Sequence, residues 1–437
     1  MKIVTEMDEE NRKLKNVKIR EMMKATHEKR DKQQCRVFEV KIVKGKLSRE
    51  KEEHIARLFL EGKWLWNHTI SQTDVFAMGR NPKSVIVKTP NGDEERSLKA
   101  LSSQMKQDVV DSVKSAIKGL STKKKHGEKV GRIGFKKYCN SIPLRQYGVT
   151  YRIDFKKNTI SIQGLKKPIK VRGLGQIPEG ADIANAKLIR KPSGLYFHIT
   201  TYTEKDRRAL TGLIGGCDFG IKANFTFDDG STYDICVPES KNLKRAQRKM
   251  NMLHAKNGKT KNHEKRTELV RREYEKLENR KKDRADKFIH MIMAKYDIFA
   301  IQDEPISDWH KGPFGRSVQH STMGRVKAKL KDSPQTIVVS KTFPSTQRCP
   351  VCGLDTKHAL GKRDYDCSHC GFHHDSRDQK SAVIILMEAL KKNVCAERTS
   401  KGPAKATAIA EMVAGATCSC KPSPVRGDCS FLGKQEA

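Results

Sequence analysis

Read by the spacing of its apolar positions, the chain changes character several times. From Cys35, RVFEVKIV alternates as a half-buried strand does, and REKEEHIARLFLEGKWLWNHTISQTDVF then carries apolar residues at helical spacing. Trp64 and Trp66 lie in that stripe and are expected in a core. A turn at Asn91-Gly92 precedes the helical run LKALSSQMKQDVVDSVKSAIKGLSTKKKH, which ends in lysines. Over 131–203, YRIDF, NTISIQG, PIKVRG, AKLIRK and LYFHITTY are short alternating runs, the last two flanking a Pro192-Ser193-Gly194 turn. They predict a small β-barrel or sheet with outward Lys and Arg.

A second pattern opens near Leu210. LIGGCDFGIKANFTFDDGSTYDI predicts two strands of a hairpin turning at Asp229-Gly230. A basic helical pair over 239–296, interrupted by AKNGKTKN, feeds into the strand IFAIQDE. A basic helix over 315–332, a strand TIVVSKTF and the amphipathic QKSAVIILMEALKK complete an order β-β-α-β-α-β-α. That order predicts an α/β domain with a mixed sheet. Residues 1–34 are charged and poor in apolar residues, as in a frayed basic helix or an arm that orders on a partner. After Asn393 the small, polar, Cys- and Pro-sprinkled tail predicts disorder.

Charge narrows the function. Lys and Arg number 88 against 51 Asp and Glu in 437 residues, a formal net charge of +37. Such self-repulsion calls for a polyanion, and nucleic acid is the expected one, because each Lys or Arg on a phosphate releases condensed counterions. No stretch of 18 or more apolar residues and no basic-then-apolar leader is present, so the expectation is a soluble intracellular protein with no membrane partner. The length and missing leader argue against a secreted disulfide scaffold despite twelve cysteines. Cys35, Cys139, Cys217 and Cys236 read as ordinary core or surface thiols.

Four other cysteines form one constellation. Cys349-Pro-Val-Cys352 and Cys367-Ser-His-Cys370 are separated by fourteen residues, and Gly353 and Gly371 follow the two pairs. Two such thiolate knuckles suit one tetrahedral Zn²⁺, with glycine allowing each tight turn. Four thiolates leave no open position, so this ion is expected to be structural. His358, His369, His373 and His374 lie nearby as bystanders.

The acids are the candidates for chemistry. Asp218 lies among small residues in GGCDFG, Glu304 closes FAIQDE, and Asp378 opens an apolar helix just past the cysteines. Three carboxylates on adjacent elements suit two Mg²⁺ (or Mn²⁺) ions in phosphodiester hydrolysis. Each has an ordinary reading too: a helix-start residue for Asp378, a turn residue for Asp218, and Asp303 or Gln302 as rivals of Glu304.

The ensemble resembles the TnpB family and the miniature type V (Cas12-like, type V-F-like) CRISPR effectors. The residues that carry the resemblance are Gly215-Gly216-Cys217-Asp218-Phe219-Gly220, NRKKDRADKFIH, IQDEPISDW, Ser345-Thr346-Gln347-Arg348-Cys349-Pro350-Val351-Cys352-Gly353, the second knuckle, and Arg377-Asp378 leading an Ala-containing helix. It implies a multidomain α+β fold: a wedge-type β-barrel with a helical recognition insertion, then a RuvC (RNase H-like) α/β domain containing an inserted four-cysteine zinc ribbon. The divisions are a basic extension 1–34, the first wedge strand 35–46, the insertion 47–130, the rest of the wedge 131–209, RuvC 210–345 and 374–393, the ribbon 346–373, and a tail 394–437.

The same resemblance implies RNA-guided endonuclease activity on double-stranded DNA beside a short adjacent motif, with guide RNA and target DNA as partners, in a prokaryotic, nucleoid-associated cytoplasmic protein. The residues leave both a monomer and, given the compact chain, a homodimer on one RNA open. Asp218, Glu304 and Asp378 match the three RuvC acids. Lys241, Arg245, Arg248, Arg271, Arg272, Lys281, Lys282 and Lys311 are expected on RNA or heteroduplex. Three features depart from the family pattern. Lys380 stands where Asn is common, and an extra residue before Arg377-Asp378 makes Asp375 a rival ligand. Gln302-Asp303-Glu304 stands where Glu-Asp-Leu is common, a two-residue shift that keeps the carboxylate on the same strand face. A cleavage-deficient guided DNA-binding repressor and a basic zinc-ribbon RNA-binding protein are the alternatives. The first requires a broken acidic site, and the second requires no such site.

Overall fold

The computed structural model describes residues 2–205, 209–258, 260–359 and 361–399. The chain divides into two compact units, Met1–Arg207 and Arg208–Ala437.

The first unit runs α1 (Lys2–Asp31), β1 (Gln33–Ile42), α2 (Arg49–Ser71), β2 (Ser84–Thr89), β3 (Gly92–Ser97), α3 (Ser103–Lys125), β4 (Ser141–Leu144), β5 (Tyr151–Asp154), β6 (Thr159–Ile162), β7 (Ile169–Arg172), β8 (Asp182–Lys191) and β9 (Gly194–Glu204). Seven of its strands form one antiparallel sheet in the order β4-β8-β9-β1-β7-β6-β5. The two edge strands, β4 and β5, are consecutive in the chain. Seven flat strands at about 4.8 Å spacing would put those edges roughly 29 Å apart. The linker between them is itself a turn, with Thr150 N–H donating to Gln146 O, so it falls far short of that span. The sheet therefore curls into a nearly closed barrel. Alternate residues of its strands (Val40, Ile42, Ile160, Ile162, Phe197, Ile199) point into a core shared with Ile55, Leu58, Phe59 and Leu65 of α2.

Two devices seat α2. Gly62 makes room, since a Cβ there would lie 2.6 Å from Ile142 Cδ1. Glu61 is fully buried, and its carboxylate accepts the backbone N–H groups of Lys99, Ala100 and Leu101 at 2.9–3.0 Å. A buried charge needs such partners, and these fix the approach to α3. Trp64 is buried as expected, while Trp66 is only partly so. Residues 2–31 form a helix, and the Asn91-Gly92 turn joins the hairpin β2–β3.

The second unit runs β10 (Ile214–Phe219), β11 (Phe225–Phe227), β12 (Thr232–Tyr233), α4 (Lys241–Asn257), α5 (Lys261–Lys295), β13 (Ile298–Gln302), α6 (Ile306–Trp309), α7 (Gly315–His320), α8 (Met323–Lys331), β14 (Thr336–Val339), β15 (Tyr365–Asp366), β16 (His373–His374) and α9 (Arg377–Thr399). The five-stranded sheet β12-β11-β10-β13-β14 is mixed: β10, β13 and β14 are parallel, and β11 and β12 antiparallel. Helices supply the crossovers that parallel strands require.

Three details differ from the pattern reading. The stretch 214–233 holds three strands instead of two, because a turn at 220–224 adds β11 before Asp229-Gly230. The basic helix expected over 315–332 is split into α7 and α8 by the extended backbone of Ser321. The last helix passes Asn393 and reaches Thr399, so six residues assigned to a disordered tail are helical, while 400–437 lie outside the described residues. Among the described residues no helix is long and apolar enough to cross a membrane.

Candidate functional site

Asp218 stands near the end of β10, and the glycines before it explain why. A Cβ on Gly215 would lie 2.5 Å from the Tyr296 ring. One on Gly216 would lie 3.0 Å from Leu386 Cβ and 3.1 Å from Ala382 O. The two faces of β10 thus admit the end of α5 on one side and α9 on the other. Ala382, Ile385, Leu386 and Ala389 bury the α9 face against the sheet. That packing brings the first turn of α9, and so Asp378, to the end of β10 that carries Asp218. Glu304 arrives from the neighbouring parallel strand, two residues beyond the end of β13.

The three acids share one electrostatic environment. Asp218 is 8 % exposed. Burial pushes its carboxyl well above the usual range, and the nearby Glu304 and Asp378 push it further, against the Phe219 backbone N–H and the Lys380 charge. Burial also raises Glu304, although Lys327 opposes the shift. Asp378 is partly exposed and lies 3.4 Å from Arg363 Nη1. A buried carboxyl repelled by two neighbouring acids fits a hard divalent cation, whose charge would relieve that repulsion. Their oxygens are not all within 4.8 Å of one another, which distinguishes this cluster from the cysteine one.

The sequence rivals sit elsewhere. Asp303 is held by Lys327 and by Lys331 at 3.1 Å, and these partners draw its carboxyl below the usual range. Asp375 has a 99 % exposed side chain and meets His373 Nε2 at 3.0 Å. Gln302 is buried and tied down: Nε2 donates to Phe343 O at 2.6 Å and Ser340 O at 3.1 Å, and Oε1 accepts from Ser345 Oγ at 2.7 Å.

Lys380 is the feature that sequence reasoning misjudged in kind. It registers in the sequence only as a departure from an expected Asn, yet it is a buried clasp. At 1 % exposure, its Nζ donates to the carbonyls of Ser345 and Thr346 at 2.8 Å and of Arg348 at 3.1 Å, and lies 4.1 Å from the Tyr365 ring centroid. Desolvation lowers it to about 8 even though Asp218 supports its charge. Three acceptors for three ammonium hydrogens leave nothing unsatisfied.

The cysteine cluster is built from two matching knuckles. Cys349 N–H donates to Leu354 O and Gly353 N–H to Cys349 O, just as Cys367 N–H donates to Phe372 O and Gly371 N–H to Cys367 O. Gly353 and Gly371 turn at φ 70° and 72°, a left-handed conformation that suits glycine. The four Sγ atoms lie within 4.8 Å of one another, with Cys349–Cys370 and Cys352–Cys367 both at 3.6 Å. Tetrahedral Zn–S bonds of about 2.3 Å imply sulfur separations of roughly 3.8 Å, so the cage can hold zinc. Burial pushes the Cys367 thiol up, but the Cys370 and His369 amides outweigh it and hold it at about 5. None of the four nearby histidines joins the cage. A second cluster, Asp364, Asp366 and His373, lies on the same ribbon, with Lys362 paired to both acids.

The expected nucleic-acid residues fall into two groups. Lys241, Arg245, Arg248, Arg271, Arg272 and Lys282 are exposed along the antiparallel pair α4–α5. Lys281, by contrast, is mostly covered and donates to Gln319 O, whereas Lys311 is exposed and pairs with Asp308 at 2.7 Å.

Residues 321–385 match the family model described as Cas12f1-like, TNB domain. The matched stretch begins ahead of α8 and contains both knuckles, Asp378 and Lys380. The match supports a TnpB- or Cas12-like family. No curated protein matches the chain significantly.

Proposed function

We propose that this protein is an RNA-guided endonuclease that cleaves double-stranded DNA beside a short adjacent motif. In this reading the first unit is the wedge barrel with its recognition insertion (47–130), and the second is a RuvC nuclease interrupted by the ribbon. The observation that carries it is the buried Asp218, repelled by Glu304 and Asp378 across three elements. A structural domain gains nothing from such repulsion, whereas a divalent-cation site needs it.

The chain's own part in the reaction is positional. The β10–β13 ladder, with Cys217 opposite Ile301, sets Asp218 beside the strand that leads to Glu304. α9, packed on Gly216, delivers Asp378. Asp218, Glu304 and Asp378 would hold two Mg²⁺ (or Mn²⁺) ions, which would supply Lewis-acid activation of water and charge neutralisation at the phosphodiester. The exposed basic residues of α4–α5 hold nucleic-acid backbone, while base pairing with the guide reads sequence. The Lys380 departure does not favour a cleavage-deficient repressor, because its ammonium is occupied by three carbonyls and leaves the acids in place.

The test is to purify the protein from cells carrying its native flanking DNA and sequence the RNA bound to it. One abundant RNA with a constant scaffold and a variable end is the expected result. A mixture mirroring bulk cellular RNA would overturn guide dependence.

A further inference from the structure

The segment between α3 and β4 forms neither helix nor strand, yet it is tightly held at its centre. The Asn67 carboxamide clamps Lys136 both ways: Lys136 N–H donates to Asn67 Oδ1 at 2.7 Å, and Asn67 Nδ2 donates to Lys136 O at 3.0 Å. Lys136 Nζ sits 3.0 Å from the Trp66 ring centroid, and Cys139 is buried two residues before β4. On either side of this anchor the chain turns two rings outward. Phe135 is 67 % exposed and Tyr138 62 %, the two most exposed aromatic rings among the described residues.

Leaving a large apolar side chain in water forgoes about 1.5–3 kcal/mol of burial. A floppy loop can bear such rings by chance, but here they project from a backbone fixed on α2. They are also interleaved with cations. Lys129, Arg132 and Lys137 are in the same segment, Lys123, Lys124 and Lys125 end α3 beside it, and Lys137 Nζ lies 5.6 Å from the Tyr138 ring. Rigid, exposed rings interleaved with cations are the construction that stacks unpaired bases.

We infer that Phe135 and Tyr138 form a stacking platform for unpaired nucleotides of the RNA that the protein carries. RNA is the fitting occupant because its recognition centres on splayed single-stranded bases. The choice of RNA over DNA rests on the proposed function, in which the protein holds RNA before it meets its target.

The test measures binding of full-length protein to a fluorescein-labelled single-stranded oligouridylate and to a blunt RNA duplex. Phe135→Ala and Tyr138→Ala are each expected to weaken oligouridylate binding about tenfold, within the range of base–aromatic stacking. Duplex affinity, salt slope and thermal stability should be unchanged, since the rings are at the surface and uncharged. Unchanged oligouridylate affinity, or an equal loss on the duplex, overturns the platform. A second arm crosslinks the protein to its co-purified RNA carrying 4-thiouridine. A crosslink within residues 131–138 in the absence of DNA is expected, and none there, or one only after DNA is added, overturns RNA as the occupant. Neither arm uses guided cleavage. Failure to cut a matched target would therefore sink the functional reading while these binding results stood.

Discussion

Lys380 Nζ donates to the carbonyl oxygen of Ser345 at 2.8 Å, and Ser345 Oγ in turn donates to Gln302 Oε1 at 2.7 Å. This chain of contacts joins the first turn of α9, which carries Asp378, to the end of β13, which leads to Glu304. It also runs through the segment entering the first cysteine knuckle, where Lys380 holds Thr346 and Arg348 as well. The four-cysteine cage and the acidic cluster are thus braced by one buried ammonium.

Lys380→Met keeps most of the stem and removes the charge. The buried Ser345 contact and the part-buried ones to Thr346 and Arg348 then lose their donor, and an unsatisfied buried group costs about 1–3 kcal/mol. Thermal unfolding should shift down by several degrees, because about 1 kcal/mol moves the midpoint of a unit this size by roughly 2–4 °C. Calorimetry at constant zinc content measures it. An unchanged midpoint would show that the clasp is dispensable.

Asp218→Asn has opposite effects on stability and activity. The native carboxyl binds its proton more tightly than the unfolded chain does. Without divalent cations, stability is therefore present at low pH and falls as pH rises above the ordinary aspartate range of about 4. The amide removes that loss, so in Mg²⁺-free buffer that leaves zinc bound the variant should melt higher than the wild type at neutral pH, and the gap should close at acid pH. Added Mg²⁺ should stabilise the wild type and not the variant. A lower midpoint for the variant at neutral pH would contradict the repulsion.

Neighbouring acids should behave differently. Asp303 is engaged by Lys327 and Lys331 near the surface, so Asp303→Asn should cost no more than about 1 kcal/mol and leave cutting within a few-fold. Glu304→Gln should reduce cutting by at least about a hundredfold, in line with the loss of an electrostatic catalytic group. Single-turnover rates on a matched duplex separate the two. Equal losses would contradict this distinction, and the reverse order would exchange their roles.

Removing the ribbon metal should unfold the ribbon. Cys367→Ser leaves three thiolates, and structural zinc contributes about 10 kcal/mol or more to such small domains. Zinc content by mass spectrometry should fall from one ion to well below one per chain, with the ribbon becoming protease-sensitive. Full retention of zinc by the variant would contradict the four-cysteine cage.

What the sequence disclosed followed the range of each interaction. The knuckles are local, with each C-x-x-C-Gly closing its own turn, so spacing alone revealed them. Barrel strands such as Ile160–Ile162 and Phe197–Ile199 were legible through alternation, because one face of each is buried. The split between α7 and α8 was not, since it depends on Ser321 and Thr322 being buried by tertiary packing. Lys380 was least legible. A buried lysine is rare, and its three acceptors lie 32–35 residues away. Asp303 and Glu304 are adjacent and chemically alike, so only their lysine contacts and burial separate them.

Guided cleavage is tested by offering the protein, with its bound RNA, a plasmid matching the variable end of that RNA beside a randomised flank. Mg²⁺-dependent cutting should select a short flank motif and disappear in Asp218→Ala, while RNA and DNA binding persist. Undiminished cutting by Asp218→Ala, or no cutting by the wild type on any flank, would contradict it.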